Sequence, residues 1–365
     1  MKNTFGESVA VTLFGESHGE AIGAVLDGIA PGIKVDKAFI SHQLNLRRPS
    51  GDISTKRSEP DNFKILSGVY NGLTTGTPIA IIIENIDTHS KDYDKFNSVA
   101  RPGHADYAAF CKYHGFEDYR GGGHFSGRIT AALVAIGSIL ISALKNKGIY
   151  IGTHIKSCGS VFDDNFSNYQ KEIELLNNKE FAVINEAKKQ EMINEILAAA
   201  NKGDSVGGVL ETAVIGIPSG LGEPWFDSVE SKLAHILFSV PAVKGVEFGK
   251  GFAMSYLKGS EANDSFTIND GKVKTVTNNN GGINGGITNG MPILFTTAIK
   301  PTPSISIEQD TVDFIAKKEV KTKVTGRHDP AIIHRARVVI DSVTAICLAD
   351  ILAQRFGTDF LKEEN

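Results

Sequence analysis

Residues 129–144, enclosed between Arg128 and Lys145, are apolar on nearly every side. A helix built from them has no polar face to turn to water, so it must be covered all round. The run is short of the roughly 20 residues of a membrane span, which points to a protein interior. Residues 343–355 have the same character. Two enclosed helices need covering layers, and the remaining candidates are β-branched segments with Gly/Pro boundaries at 9–14, 79–83, 209–217, 245–248 and 253–257. The expected architecture is therefore α+β, a layered β-α-β sandwich with buried helices between antiparallel sheets.

Other segments are surface elements. Residues 186–202 form an amphipathic helix that stops before Gly203, and Asp227 with Glu230 predicts a capped helix running to Val240, ahead of Pro241. Polar stretches near 45–60, 160–185 and 258–278 are expected to be insertions or mobile loops. With no Pro/Ser-rich linker and no repeat, residues 1–365 are expected to form one domain. A net charge of −4 with no strong basic run argues against a nucleic-acid binder. Cys111, Cys158 and Cys347 lie far apart, so buried free thiols are expected rather than zinc ligands or disulfides, and no metal site is expected. Glu7 and Glu16 interrupt any leader-like apolar run, which gives a cytoplasmic expectation without a membrane partner.

The chemistry gathers in loops that mix Gly, His, Arg and Asp. Gly15-Glu16-Ser17-His18-Gly19 follows the first strand; its glycines let the backbone bend sharply at a cleft mouth, although a plain turn with an incidental histidine has the same composition. Arg47-Arg48-Pro49-Ser50-Gly51, with Lys56 and Arg57, offers planar forks for phosphate or carboxylate, or else a solvated basic loop. Arg101-Pro102-Gly103-His104-Ala105-Asp106 can place a cation and a proton donor at one spot. Gly121-Gly122-Gly123-His124-Phe125-Ser126-Gly127-Arg128 leads into the buried helix, where backbone N–H groups suit an anion. It lacks the Lys-Ser/Thr of a phosphate loop and the third glycine of a dinucleotide fingerprint. Lys300-Pro301-Thr302-Pro303-Ser304 reads as a stiffened phosphate clamp or a plain turn, and Gly326-Arg327-His328-Asp329-Pro330 adds another Arg, His and Asp. His42, His89, His114, His154 and His235 lack such surroundings and read as structural or surface residues.

Taken in order, these segments resemble the chorismate synthase family. So do Gly203-Asp204-Ser205-Val206-Gly207, Gly220-Leu221-Gly222-Glu223-Pro224, the string from Pro241 through Gly249, and Gly281-Gly282-Ile283-Asn284-Gly285-Gly286-Ile287. Each string is weak alone, while their order from end to end is specific. The resemblance implies elimination of phosphate from 5-enolpyruvylshikimate 3-phosphate to give chorismate, with reduced FMN required but not consumed. It implies that His18 protonates the departing phosphate, His104 stabilises the reduced flavin and Asp329 assists proton removal. A substrate with about four negative charges needs converging arginines; Ser17, Arg47, Arg48, Arg57, Arg101, Arg128 and Arg335 are the implied substrate ligands. The implied FMN contacts are His124, Phe125, Ser126, Pro241, Ala242, Gly285, Lys300, Pro301, Thr302, Pro303, Ser304 and Arg327. A homotetramer with a β-α-β sandwich is implied as well. The missing dinucleotide fingerprint leans toward an external flavin reductant rather than the chain's own use of NADPH. This chain departs from the family pattern at His124 and Phe125, in a loop between Pro49 and Arg57 that is one residue short, and at Ala331, Ile332 and His334. A non-catalytic flavin- or anion-binding module and a phosphate-loop nucleotide enzyme are the competing readings.

Overall fold

The computed structural model describes residues 2–49, 51, 53–54, 59–86, 97–324 and 329–362. Eight α-helices lie among the described residues: α1 Lys37–Arg47, α2 Asp106–Tyr113, α3 Thr130–Asn146, α4 Tyr169–Leu176, α5 Glu186–Asn201, α6 Val229–Leu237, α7 Gly259–Ala262 and α8 Ile333–Phe356. One five-stranded sheet runs in the order Thr4–Phe5, Ala10–Gly15, Ala21–Asp27, Ile79–Glu84, Phe63–Ile65, and a second in the order Val243–Phe248, Ile293–Ile299, Gly208–Ile215, Tyr150–Cys158, Val161–Phe162. Every pairing in both is antiparallel.

Helices α3 and α8 pack on each other and on both sheets, so they are the middle layer of a β-α-β sandwich. This is the α+β architecture that two all-apolar segments demand. Their close approach rests on Gly137, where an added Cβ would lie 2.4 Å from Ser342 Cβ. The helical run Gly127–Asn146, which contains α3, is apolar enough to cross a membrane by length and composition, but 83% of its most apolar window is buried inside the protein. The strands alternate as half-buried strands should: Ile79, Ile81 and Ile83 face the core at 0% exposure, and Glu84 ends the strand outside.

Several expectations are corrected. Helix α8 begins at Ile333, ten residues before the expected start, because Arg337 and Asp341 make its early turns look polar. In fact they pair one turn apart at 3.1 Å, fully enclosed, with Thr153 Oγ1 donating to Asp341. Residues 253–257 are no strand. After Phe248 the chain turns through Gly249 and Gly251 at positive φ into a 3-10 turn, Gly251–Tyr256, with Phe252 and Tyr256 exposed. The cap of α6 is Ser228, whose Oγ accepts from Ser231 N, and the helix ends at Leu237 rather than Val240. Segment 160–185 contains α4 and buries Ile173, Leu176, Phe181, Ala182 and Val183, whereas 266–275 is a hairpin with mostly exposed residues. Cys158 and Cys347 are buried free thiols, but Cys111 is exposed.

Candidate active site

The turn that carries His18 is held between two walls. From one side Gly123 O accepts Ser17 N at 3.1 Å, and Gly15 O accepts His124 Nδ1 at 2.8 Å. The three glycines at 121–123 all have positive φ, the backbone region that favours glycine. At Gly121 the need is also steric, since an added Cβ would lie 2.1 Å from His18 Cε1 and 2.9 Å from Ser17 Oγ. Ser17 and His18 are buried directly behind Gly121, which lines the cleft. Asp118 is close enough that the His18 imidazole helps hold its carboxyl below the usual range, although the Asp118–Arg120 hydrogen bond is the main cause.

The arginines do not stand alone. Asp61, 4% exposed, receives Arg47 Nη2 at 3.3 Å, lies 3.9 Å from Arg48 Nε and contacts Arg128 Nη1. Glu59 takes Arg128 Nη2 at 2.9 Å. Arg128 also donates to Asn85 Oδ1 at 3.0 Å and to the Glu84 carbonyl at 3.1 Å, so its fork is bound to the protein itself. Burial pushes Arg47 down to about 10, with Asp61 opposing and Arg128 and Arg335 adding to the shift. Arg335 pairs with Asp329 at 2.6 Å. Among the described residues, the buried Nε atoms of Arg47, Arg48 and Arg335 have no hydrogen-bond acceptor, and neither the Ser17 nor the Thr302 hydroxyl has a partner.

Beside Arg335, His334 is 4% exposed and its Nε2 lies 2.8 Å from Ser54 Oγ. Burial, with Arg335 next to it, pushes its imidazole down to about 3. His104, which also lines the cleft, is pushed down to about 4, by burial first and then by Arg101. Both rings are neutral in the folded protein and take up protons more readily once unfolded. Stability is therefore complete above the ordinary histidine value of 6.5 and declines as pH falls toward 4 for His104 and toward 3 for His334. The His334→Gln variant should lower the acid-side slope of unfolding free energy by about 1.4 kcal/mol per pH unit. Urea titrations at several pH values measure this, and an unchanged slope would show that His334 does not contribute.

His104 Nε2 lies 2.9 Å from Ser304 Oγ, and Lys300 Nζ donates to Gly103 O at 2.6 Å, which docks the 101–106 loop on the 300–304 loop. Arg101 is neutralised by Asp106 through two bonds of 2.9 and 2.7 Å. Burial and Lys244 both lower the Lys300 ammonium.

These walls enclose a cleft of about 980 Å³, the upper end of the roughly 300–1,000 Å³ of small-molecule sites. It brings together Arg47, Arg48, Arg101, His104, His124, Phe125, Ser126, Arg128, Pro241, Ala242, Lys300, Thr302, Pro303, Ser304, Asp329 and Arg335. Ser17 and His18 lie behind its wall, while Pro301 and Gly285 are not among its lining residues. Arg57 and Arg327 lie outside the described residues. His235, set aside on sequence grounds, also lines the cleft and meets Phe5 edge-on at 5.4 Å. Sequence reasoning missed Glu59, Asp61 and Asn85. The two acids, spaced two apart just after a basic loop, were the available signal. Phe125, Leu133, Ala242 and Val339 supply apolar contact surface, and the acceptor-less guanidinium N–H groups suit an anion, so the residues present fit a flavin beside an anionic substrate.

A β-α-β sandwich with cationic side chains converging on one deep cleft defines a small-molecule enzyme for an anionic substrate. The comparisons give the family: the chorismate synthase model matches residues 9–353. A chorismate synthase of Pyrococcus abyssi is 47% identical over 350 residues, 96% of this chain and 97% of the relative. One of Thermococcus kodakarensis is 45% identical over the same shares, and one of Dehalococcoides mccartyi is 42% identical over 98% of each chain. A solved structure titled "Crystal Structure of Chorismate Synthase" superposes with a TM-score of 0.77 at 31% identity, covering 98% of this chain and 95% of that one. The chain belongs to the chorismate synthase family.

Proposed function

We propose that the protein carries out the 1,4-anti elimination of phosphate from 5-enolpyruvylshikimate 3-phosphate, giving chorismate, with reduced FMN as its non-consumed cofactor. The observation that carries this reading is the set of buried arginine Nε atoms of Arg47, Arg48 and Arg335, in one cleft with His104 and Asp329. Guanidinium groups held in place before the substrate arrives can bind its phosphate and carboxylates with little reorganisation. His18, just behind Gly121, donates the proton to the departing phosphate. Asp329, oriented by Arg335 at 2.6 Å, assists proton removal. His104 is neutral and acts as a hydrogen-bonding group rather than a standing cation, with Ser304 fixing its ring. The flavin would be held by His124, Phe125, Ser126, Pro241, Ala242, Lys300, Thr302, Pro303 and Ser304, and when bound it supplies electron density toward the breaking C–O bond. Arg57, Arg327, Pro301 and Gly285 remain part of the proposed ligand set on the strength of the family resemblance alone. The same resemblance supports a homotetramer, and the missing dinucleotide fingerprint leans toward an external flavin reductant.

The test is an anaerobic assay with this substrate and chemically reduced FMN, following chorismate and phosphate together. Equal release of both, dependent on reduced flavin, is expected; flavin binding without product would favour a non-catalytic module. His18→Ala and His104→Ala should each slow turnover roughly ten- to a thousandfold in a folded protein. Near-normal rates in either variant would remove that residue from the mechanism.

A further inference from the structure

The His18 turn is fastened from its outer side by one side chain, Asn85, just beyond the end of strand Ile79–Glu84. Asn85 Nδ2 donates to Glu16 O and to Gly19 O, both at 2.9 Å, and so spans the two residues between those carbonyls, Ser17 and His18. The Asn85 backbone N–H donates to Glu20 O at 3.0 Å. The amide cannot turn over, because its Oδ1 accepts Arg128 Nε at 3.0 Å. Arg128 is in turn immobilised by Asp61, Glu59 and the Glu84 carbonyl. Side-chain amides with every group engaged hold one orientation, and a reacting group set by such a partner keeps its geometry through turnover.

We infer that Asn85 is a positioning residue for His18, with Arg128 holding the Asn85 amide in one orientation. The inference rests on the reading of His18 as the proton donor. Removing the amide takes two hydrogen bonds from the turn and leaves in place Gly19 N to Glu16 O, the Asn85 N–H to Glu20 O and the ties to the glycine loop. The backbone turn that carries the His18 ring is then less firmly held.

The experiment is a double-mutant cycle on the FMN-loaded enzyme, measuring phosphate release under anaerobic conditions. Asn85→Ala should lower kcat roughly ten- to a hundredfold with KM changed by less than about threefold. In the His18→Ala background the same substitution should cost nothing further, since the group it positions is gone. Asn85→Asp keeps an acceptor for Arg128 and replaces the donors to the two carbonyls by a carboxylate oxygen, so the cycle is repeated with it in case the alanine variant folds poorly. An undiminished kcat in both Asn85 variants overturns the inference. So does an equal loss with and without His18, which would mark a general structural role. A His18→Ala variant that turns over at the wild-type rate overturns the reading beneath it, and that result is visible without any Asn85 variant.

Discussion

Replacing Gly121 by alanine is expected to cut turnover roughly a thousandfold, at the upper part of the range for a positioned acid, while the rest of the fold persists. The new methyl would lie 2.1 Å from the His18 ring and 2.9 Å from Ser17 Oγ, far inside contact distance. It would also sit on a backbone with φ of +60°, a conformation that costs a non-glycine residue about 1 kcal/mol or more. Either the His18 turn moves away or the glycine loop rearranges, and both outcomes change where the His18 ring lies relative to the cleft. The comparison to make is single-turnover phosphate release against circular dichroism of the same sample. A normally folded Gly121→Ala protein with full activity would show that the His18 ring is not needed where it lies.

The second large effect is on stability. Asp61 is the counter-charge for Arg47, Arg48 and Arg128, with a side chain 1% exposed. Asp61→Ala leaves three guanidinium groups crowded together, with Glu59 beside Arg128. Removing one partner from a buried ion pair typically costs about 3–5 kcal/mol, because the remaining charge is stranded. The expected result is a lower urea midpoint that inorganic phosphate restores more strongly in the variant than in the parent, since an anion that binds the folded state replaces the lost carboxylate. An unchanged midpoint would mean that the arginines do not depend on Asp61.

The middle layer was legible because residues 129–144 carry no polar face, and a segment of that kind has few possible environments. The first turns of α8 were hidden for the opposite reason: Arg337 and Asp341 read as surface residues until their mutual pairing and Thr153 are seen. The loops of the site stood out by composition, and the glycines of 121–123 announced an unusual backbone. Their partners did not. Asp61 meets Arg128 sixty-seven positions away, and nothing local in either segment marks the pairing. Asn85 lies at the end of an ordinary strand, so its two bonds to the His18 turn belong to three-dimensional registry alone. In the same way, nothing in the sequence shows that Asp106 engages Arg101, or that Asp61 and Glu59 engage Arg128.

The placement of α8 at the centre has a consequence for assembly. This helix is drawn from the last tenth of the chain, yet it packs on α3 and on strands of both sheets. During synthesis, the earlier segments must wait, with the apolar faces that will enclose α8 still open. The cleft joins Arg47 to Arg335 across nearly the whole length of the chain, so it cannot close early either. Contacts of such high sequence separation make for slow acquisition of the native state. Catalytic competence should therefore be the final property gained on refolding, arriving with the docking of a helix that lines the cleft with Arg335, Ala336, Val339 and Ile346.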